Sequence, residues 1–134
     1  MLAFKNKHQY HNIDMDFTVS GKSNIAIAVH DQRTEMLTTG KSPSFVGYMR
    51  SGIGIPYPIH TESGNALADD IAGDLAKAFT KRGFTVTVVQ TAPSETHEQV
   101  VGKLKAANAG KSIILHLDTW HTDCYQMVWC NSRL

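Results

Sequence analysis

Asn24 to Asp31 reads NIAIAVHD, with five consecutive apolar residues from Ile25 to Val29. A run this short is too brief for a helix. It is framed by the turn residues Ser20-Gly21-Lys22-Ser23 and by the polar stretch His30-Asp31-Gln32-Arg33, so it reads as a buried strand. A buried strand forces the remainder of the chain to supply its cover. The 134 residues suffice for one domain with one core.

Upstream, Ile13, Met15, Phe17 and Val19 alternate with Asp14, Asp16 and Thr18, the period of a half-buried strand. Residues 1–12 are polar and read as a flexible tail, leaving 13–134 as the domain. Residues 34–62 hold Pro43, Pro56 and Pro58 with Gly40, Gly47, Gly52 and Gly54, and show no sustained period. This reads as a long irregular connection with short extended pieces at Phe45 to Arg50 and Tyr57 to His60. Connections of that length are usually functional.

Asn65 to Arg82 predicts a helix. Leu67, Ile71, Leu75 and Phe79 share one face, Asn65 or Ser63 can cap the start, and Gly83 follows as the left-handed terminator. Phe84 to Gln90 is a strand by β-branching and alternation. Ser94 to Ala109 is a second helix, with Val100, Val101, Leu104 and Ala107 as its stripe and Gly110 as its stop. Ser112 to Asp118 and Cys124 to Cys130 read as strands joined in a C-terminal hairpin. The expected fold is α/β (α+β): one mixed β-sheet, two helices packed on one face, one βαβ crossover over 84–118, and that hairpin.

Hydrophobic residues make up 42% and charged residues 19%, an ordinary globular balance, and the net charge of +1 excludes a dedicated nucleic-acid surface. No apolar run is long enough for a transmembrane helix. The sequence as given shows no signal peptide and no lipid-accepting Cys, which predicts a soluble chain. Placed in one strand, Cys124 and Cys130 would lie about 20 Å apart. That is too far for an intramolecular bridge, so free thiols are expected, with an intermolecular bridge as the alternative.

Gly-Lys-Ser occurs at 21–23, 40–42 and 110–112, but Asp16, Glu35 and Lys105 stand where a phosphate loop needs its earlier glycine. All three read as turns. Gly47, Gly52 and Gly54 lack the strand-turn-helix setting of a dinucleotide fingerprint. Phe45, Tyr48, Arg50 and Tyr57 make the same segment a candidate binding lip of aromatic area and one guanidinium. Asp31 and Arg33 face the same way at the strand end and can pair or organise that loop. His116, Asp118 and His121, followed by Asp123, form the one candidate metal cluster, in a spacing of nitrogen and oxygen donors that could hold Zn²⁺. The bland alternative is a polar strand end beside Trp120. Neither cysteine has a local catalytic signature.

Ile25 to Arg33 ending in Asp-x-Arg, the Gly-rich segment, Ser63-Gly-Asn-Ala-Leu-Ala-Asp-Asp70 and the helix end Lys81-Arg-Gly-Phe84 resemble the YajG-type bacterial lipoprotein family over roughly residues 24 to 120. Val29, Asp31 and Arg33 match its strand end, and Gly83 and Phe84 its helix-to-strand junction. The resemblance implies a small α/β domain at the envelope, on the periplasmic side, with no established enzymatic role. The sequence departs from it in lacking a signal peptide and lipidated Cys, and in stopping soon after Trp129.

The expectation is therefore a non-catalytic binding or assembly domain with no cofactor, contacting a protein or envelope component through Asp31, Arg33, Phe45, Tyr48, Arg50 and Tyr57. An exposed last strand carrying Met127, Val128 and Trp129 predicts a homodimer. The alternative is a small metal-assisted hydrolase built on His116, Asp118 and His121.

Overall fold

The computed structural model describes residues 7–8, 23–125 and 129–133, with side chains over 23–125. In chain order the elements are β1 (Lys7–His8), β2 (Asn24–Asp31), α1 (Thr34–Thr38), β3 (Phe45–Arg50), β4 (Pro56–Thr61), α2 (Leu67–Lys81), β5 (Thr85–Val88), α3 (His97–Ala106), β6 (Lys111–Leu117), β7 (His121–Tyr125) and β8 (Trp129–Arg133). The strand expected at Ile13 to Val19 lies outside the described residues, as does most of the expected tail. Within that tail Lys7–His8 runs parallel to His60 and Thr61.

The fold mixes helices and strands as the sequence implies, but the strands form two sheets. β5-β2-β6 is all parallel, and β1-β4-β3-β7-β8 is mixed. The two helices take opposite faces of the parallel sheet, which corrects the expectation of one shared face. Ile25 and Ile27 pack against Phe84, Leu75 and Phe79, and Val29 packs against Leu67, Ala68, Ile71 and Ala72, so the odd residues of β2 meet α2. Ala26 and Ala28 meet Val100 and Leu104 of α3. Alternate residues of a strand point to opposite faces. An uninterrupted apolar run is thus the mark of a central strand covered on both sides. Burying each such Ile, Leu or Val contributes about 1.5–3 kcal/mol.

The βαβ crossover runs from β5 through α3 to β6, passing over β2, which separates the two strands. The C-terminal hairpin is β7–β8, not the expected pairing of β6 with the following strand. Asp118, Thr119 and Trp120 carry the chain from one sheet to the other, and the ends of the segment read as one strand from Cys124 to Cys130 belong to two antiparallel strands, β7 and β8. Cys124 and Cys130 therefore stand directly opposite each other. Cys124 is disulfide-bonded, and among the described residues no cysteine is free. Cross-strand partners lie about 4.5–5.5 Å apart at Cα, well inside disulfide range. The free-thiol expectation failed because it assumed an unbroken strand.

The segment 34–62 is more regular than its composition suggests. It holds α1 and the antiparallel hairpin β3–β4. A bulge between Phe45 and Gly47 sets the register, and β7 approaches so closely at Gly47 that an added Cβ would lie 1.9 Å from the Thr122 carbonyl oxygen. Its φ of 146° also suits glycine.

α2 starts at Ala66 without a side-chain cap. Instead the Leu67 amide donates to Pro43 O, while the Ser63 hydroxyl and Asn65 amide donate to Asp70. The helix ends as expected at Gly83, with Phe84 N bonded to Phe79 O and Gly83 N to Thr80 O. α3 begins with a capping box between Thr96 and Gln99. It ends before Asn108, whose φ is 50°, ahead of the expected stop at Gly110.

Candidate functional site

β2 ends in Asp31, and two residues later Arg33 turns back onto it. Arg33 Nε and Nη2 donate to Asp31 Oδ1 and Oδ2 at 2.8 and 2.7 Å. Nη1 donates to Phe45 O at 2.6 Å and Nη2 also to Pro43 O at 3.3 Å. Both residues are buried. The fork is spent on holding the end of the parallel sheet to the start of β3, so these two residues cannot meet a partner. That corrects their expected place in a contact surface. Phe45 is buried as well, under Tyr48, in an edge-to-face pair with centroids 5.1 Å apart.

Tyr48 and Arg50 lie half-exposed on the outer face of the five-stranded sheet. Lys41 Nζ sits over the Phe45 and Tyr48 rings at 5.3 and 5.4 Å. Arg50 Nε donates to Asp123 at 2.8 Å, and its guanidinium lies 5.8 Å from the Tyr125 ring. The Asp123 hydrogen bond is the main reason the Arg50 guanidinium is held above its ordinary pKa.

Tyr57 pairs with Met49 across the hairpin and so faces the other way from Tyr48, whose cross-strand partner is Pro58. The expected lip is therefore two surfaces. Tyr48 and Arg50 belong to a polar aromatic face. Tyr57 follows two more exposed apolar residues, Ile53 at the hairpin apex and Ile55 after it, the three exposed by 51%, 86% and 47%. The apex is held by Gly54 N to Ser51 O, Ser51 N to Ile55 O and Ile55 N to the Ser51 hydroxyl.

The structure does not bring His116, Asp118 and His121 together. His121 turns to Glu35, with Nδ1 3.5 Å from Oε1, and to the Tyr48 ring. His116 points to the opposite side of the chain's turn, towards α3. Among the described residues no group of three or more histidine, cysteine or acidic side chains is placed to hold one metal ion. A hydrolytic centre on those residues has no geometric support.

What His116 does meet is a set of residues the sequence did not single out. β2 and β6 are parallel and in register, so His30 lies opposite His116 with ring centroids 5.6 Å apart. His97, the first residue of α3, lies 5.3 Å from His116 on the same measure, with its Nδ1 3.3 Å from His116 Nε2. The three imidazoles run from solvent to interior: His97 exposed, His116 half-buried, His30 fully buried.

Neither nitrogen of His30, nor His116 Nδ1, has a hydrogen-bond partner among the described residues. The file sits at the carboxyl ends of the parallel strands, the end of open α/β sheets at which ligands bind. The signal was present as VHD and LHLD at the two strand ends, but only the pairing register makes it legible.

Glu95 and Glu98 flank this cluster. Glu95 is held below the usual carboxylate range chiefly by its bond to Lys103, then by the Ala92 amide. Glu98 is lowered chiefly by its own backbone amide, then by the Thr96 hydroxyl. Among the described residues no helix is long and apolar enough to cross a membrane. No protein-family model, curated protein or solved structure matches this chain.

Proposed function

We propose that this chain is a non-catalytic binding or assembly domain that self-associates through the β3–β4 hairpin. The observation that carries the reading is the exposure of Ile53, Ile55 and Tyr57 at and beside an apex fixed by its own hydrogen bonds. Three large apolar side chains exposed within five residues mark an interaction surface more often than chance decoration. The hairpin is also rigidly based, through Arg33 on Phe45 O and Arg50 on Asp123. A pre-organised element loses little entropy on docking.

Placement in a bacterial envelope, as in the YajG-type lipoproteins the sequence resembles, is part of the same proposal. It is supported by the disulfide at Cys124, since disulfides persist in oxidising compartments such as the periplasm.

The test is light scattering over a dilution series. The wild-type chain is expected as a dimer that dissociates on dilution. A variant carrying Ile53→Ser and Tyr57→Ser is expected as a monomer with an unchanged circular dichroism spectrum. A wild-type chain that is monomeric at every concentration overturns self-association, and a variant that still dimerises moves the interface elsewhere.

A further inference from the structure

The histidine file belongs to neither surface of the hairpin. His97 Nδ1 and His116 Nε2 face each other at 3.3 Å. Two nitrogens each about 2.0–2.1 Å from a tetrahedral Zn²⁺ are about 3.3–3.4 Å apart, the edge of the tetrahedron. The pair already stands at the separation of two ligands of one ion. His97 is exposed and His116 half-buried, so an ion reaches both from solvent.

Two carboxylates, Glu95 and Glu98, flank the pair, the first balanced by the Lys103 ammonium. Both carboxylates are engaged by their own hydrogen bonds, Glu95 with Lys103 and the Ala92 amide, Glu98 with its own amide and Thr96. Neither is needed as a ligand. His30 lies against His116 from the interior side, with both its nitrogens unpartnered among the described residues.

We propose that His97 and His116 form a binding site for a borderline transition-metal dication, Zn²⁺ foremost, held between His97 Nδ1 and His116 Nε2. Among the described residues no third ligating side chain converges on the same point. The remaining coordination positions therefore belong to water or to donor atoms of an incoming ligand. That is the open arrangement, in contrast to the closed four-ligand shell of a structural zinc site. Imidazole nitrogen is a good donor for Zn²⁺, Cu²⁺ and Ni²⁺ and a poor one for Mg²⁺ and Ca²⁺, which prefer oxygen.

The experiment is calorimetric titration of untagged, chelator-treated protein with ZnCl₂, and separately with MgCl₂. One Zn²⁺ per chain and no Mg²⁺ response are expected. His97→Ala and His116→Ala should each weaken Zn²⁺ binding at least about tenfold, the lower bound even for partners beyond the ligands themselves. His121→Ala should leave it unchanged. His97 is exposed, so its variant keeps the fold even where that of His116 does not. Absence of Zn²⁺ binding overturns the proposal, as does full binding in the His97→Ala chain or loss of binding in His121→Ala.

Discussion

Arg33 closes a two-toothed bond onto Asp31, Nε to Oδ1 and Nη2 to Oδ2, with the guanidinium wholly buried and its third nitrogen on Phe45 O. Every donor the fork aims inward has an acceptor. Removing one partner strands the other charge in the interior, which costs about 3–5 kcal/mol. Arg33→Ala and Asp31→Ala should each lose that much in urea denaturation. Arg33→Lys should not rescue, because a point charge cannot span both oxygens. Replacing both, as Asp31→Leu with Arg33→Met, should cost less than either single change. A double variant as unstable as the sum of the singles would show that the pair does not act as a unit.

Gly47 carries a second constraint, steric this time. A Cβ there would lie 1.9 Å from Thr122 O and 2.7 Å from Thr122 N and C, all backbone atoms of β7. No side-chain rotation relieves that clash, so β3 and β7 must separate. Gly47→Ala should therefore cost at the upper end of the about 1–3 kcal/mol typical of overpacking, or more. The loss should appear as faster amide exchange along β7. Gly52, with nothing within 4 Å of its added Cβ, serves as the control, and Gly52→Ala should be near neutral.

His30 should be improvable. Its ring is completely buried and neither nitrogen has a protein partner among the described residues. An unsatisfied buried polar group costs about 1–3 kcal/mol. His30→Leu, close in volume and apolar, should raise the melting temperature of metal-free protein. A lower melting temperature would mean the imidazole is stabilised by more than the packing around it.

The elements nearest the core were the most legible from sequence. α2 follows from its apolar spacing and from Gly83, and β2 from its unbroken Ile/Ala/Val run. What failed was long-range pairing. Nothing local distinguishes one seven-residue strand at Cys124 to Cys130 from the ends of two strands paired with each other, so the sheet count, the hairpin partner and the disulfide were all lost together. The site suffered in the same way. Asp31 and Arg33 were rightly paired, but their burial depends on Pro43 and Phe45 arriving from another element. The neighbours of His116 are fixed by strand register and by the start of α3, which spacing along the chain cannot reveal.

Acid should weaken the start of α3. Glu95 and Glu98 sit below the usual carboxylate range in the folded chain, Glu95 through Lys103 and the Ala92 amide, Glu98 through its own amide and Thr96. A depressed folded-state value means the stabilisation is fully present above the unfolded carboxylate range. It is lost as pH falls through the folded values. The urea midpoint should drop across that acid window. A Glu95→Gln/Glu98→Gln chain should show a shallower drop from a lower starting point. Parallel pH curves for the two chains would exclude these carboxylates as the cause.

The disulfide at Cys124 closes a short loop, since Cys130 is its cross-strand neighbour on β8. In the chain-entropy account a loop of about seven residues restrains the unfolded chain by about 2 kcal/mol. Reduction with dithiothreitol, or the pair Cys124→Ala and Cys130→Ala, should lower stability by about that amount. Pairing of β3 with β7 should survive, because its ladder does not include Cys130. The same bond discriminates compartments. Chain recovered from a bacterial periplasm should carry it, and chain made in a reducing cytoplasm should gain stability on oxidation in vitro. If the reduced and oxidised forms melt together, the bridge contributes nothing to the fold, and its support for an envelope setting falls with it.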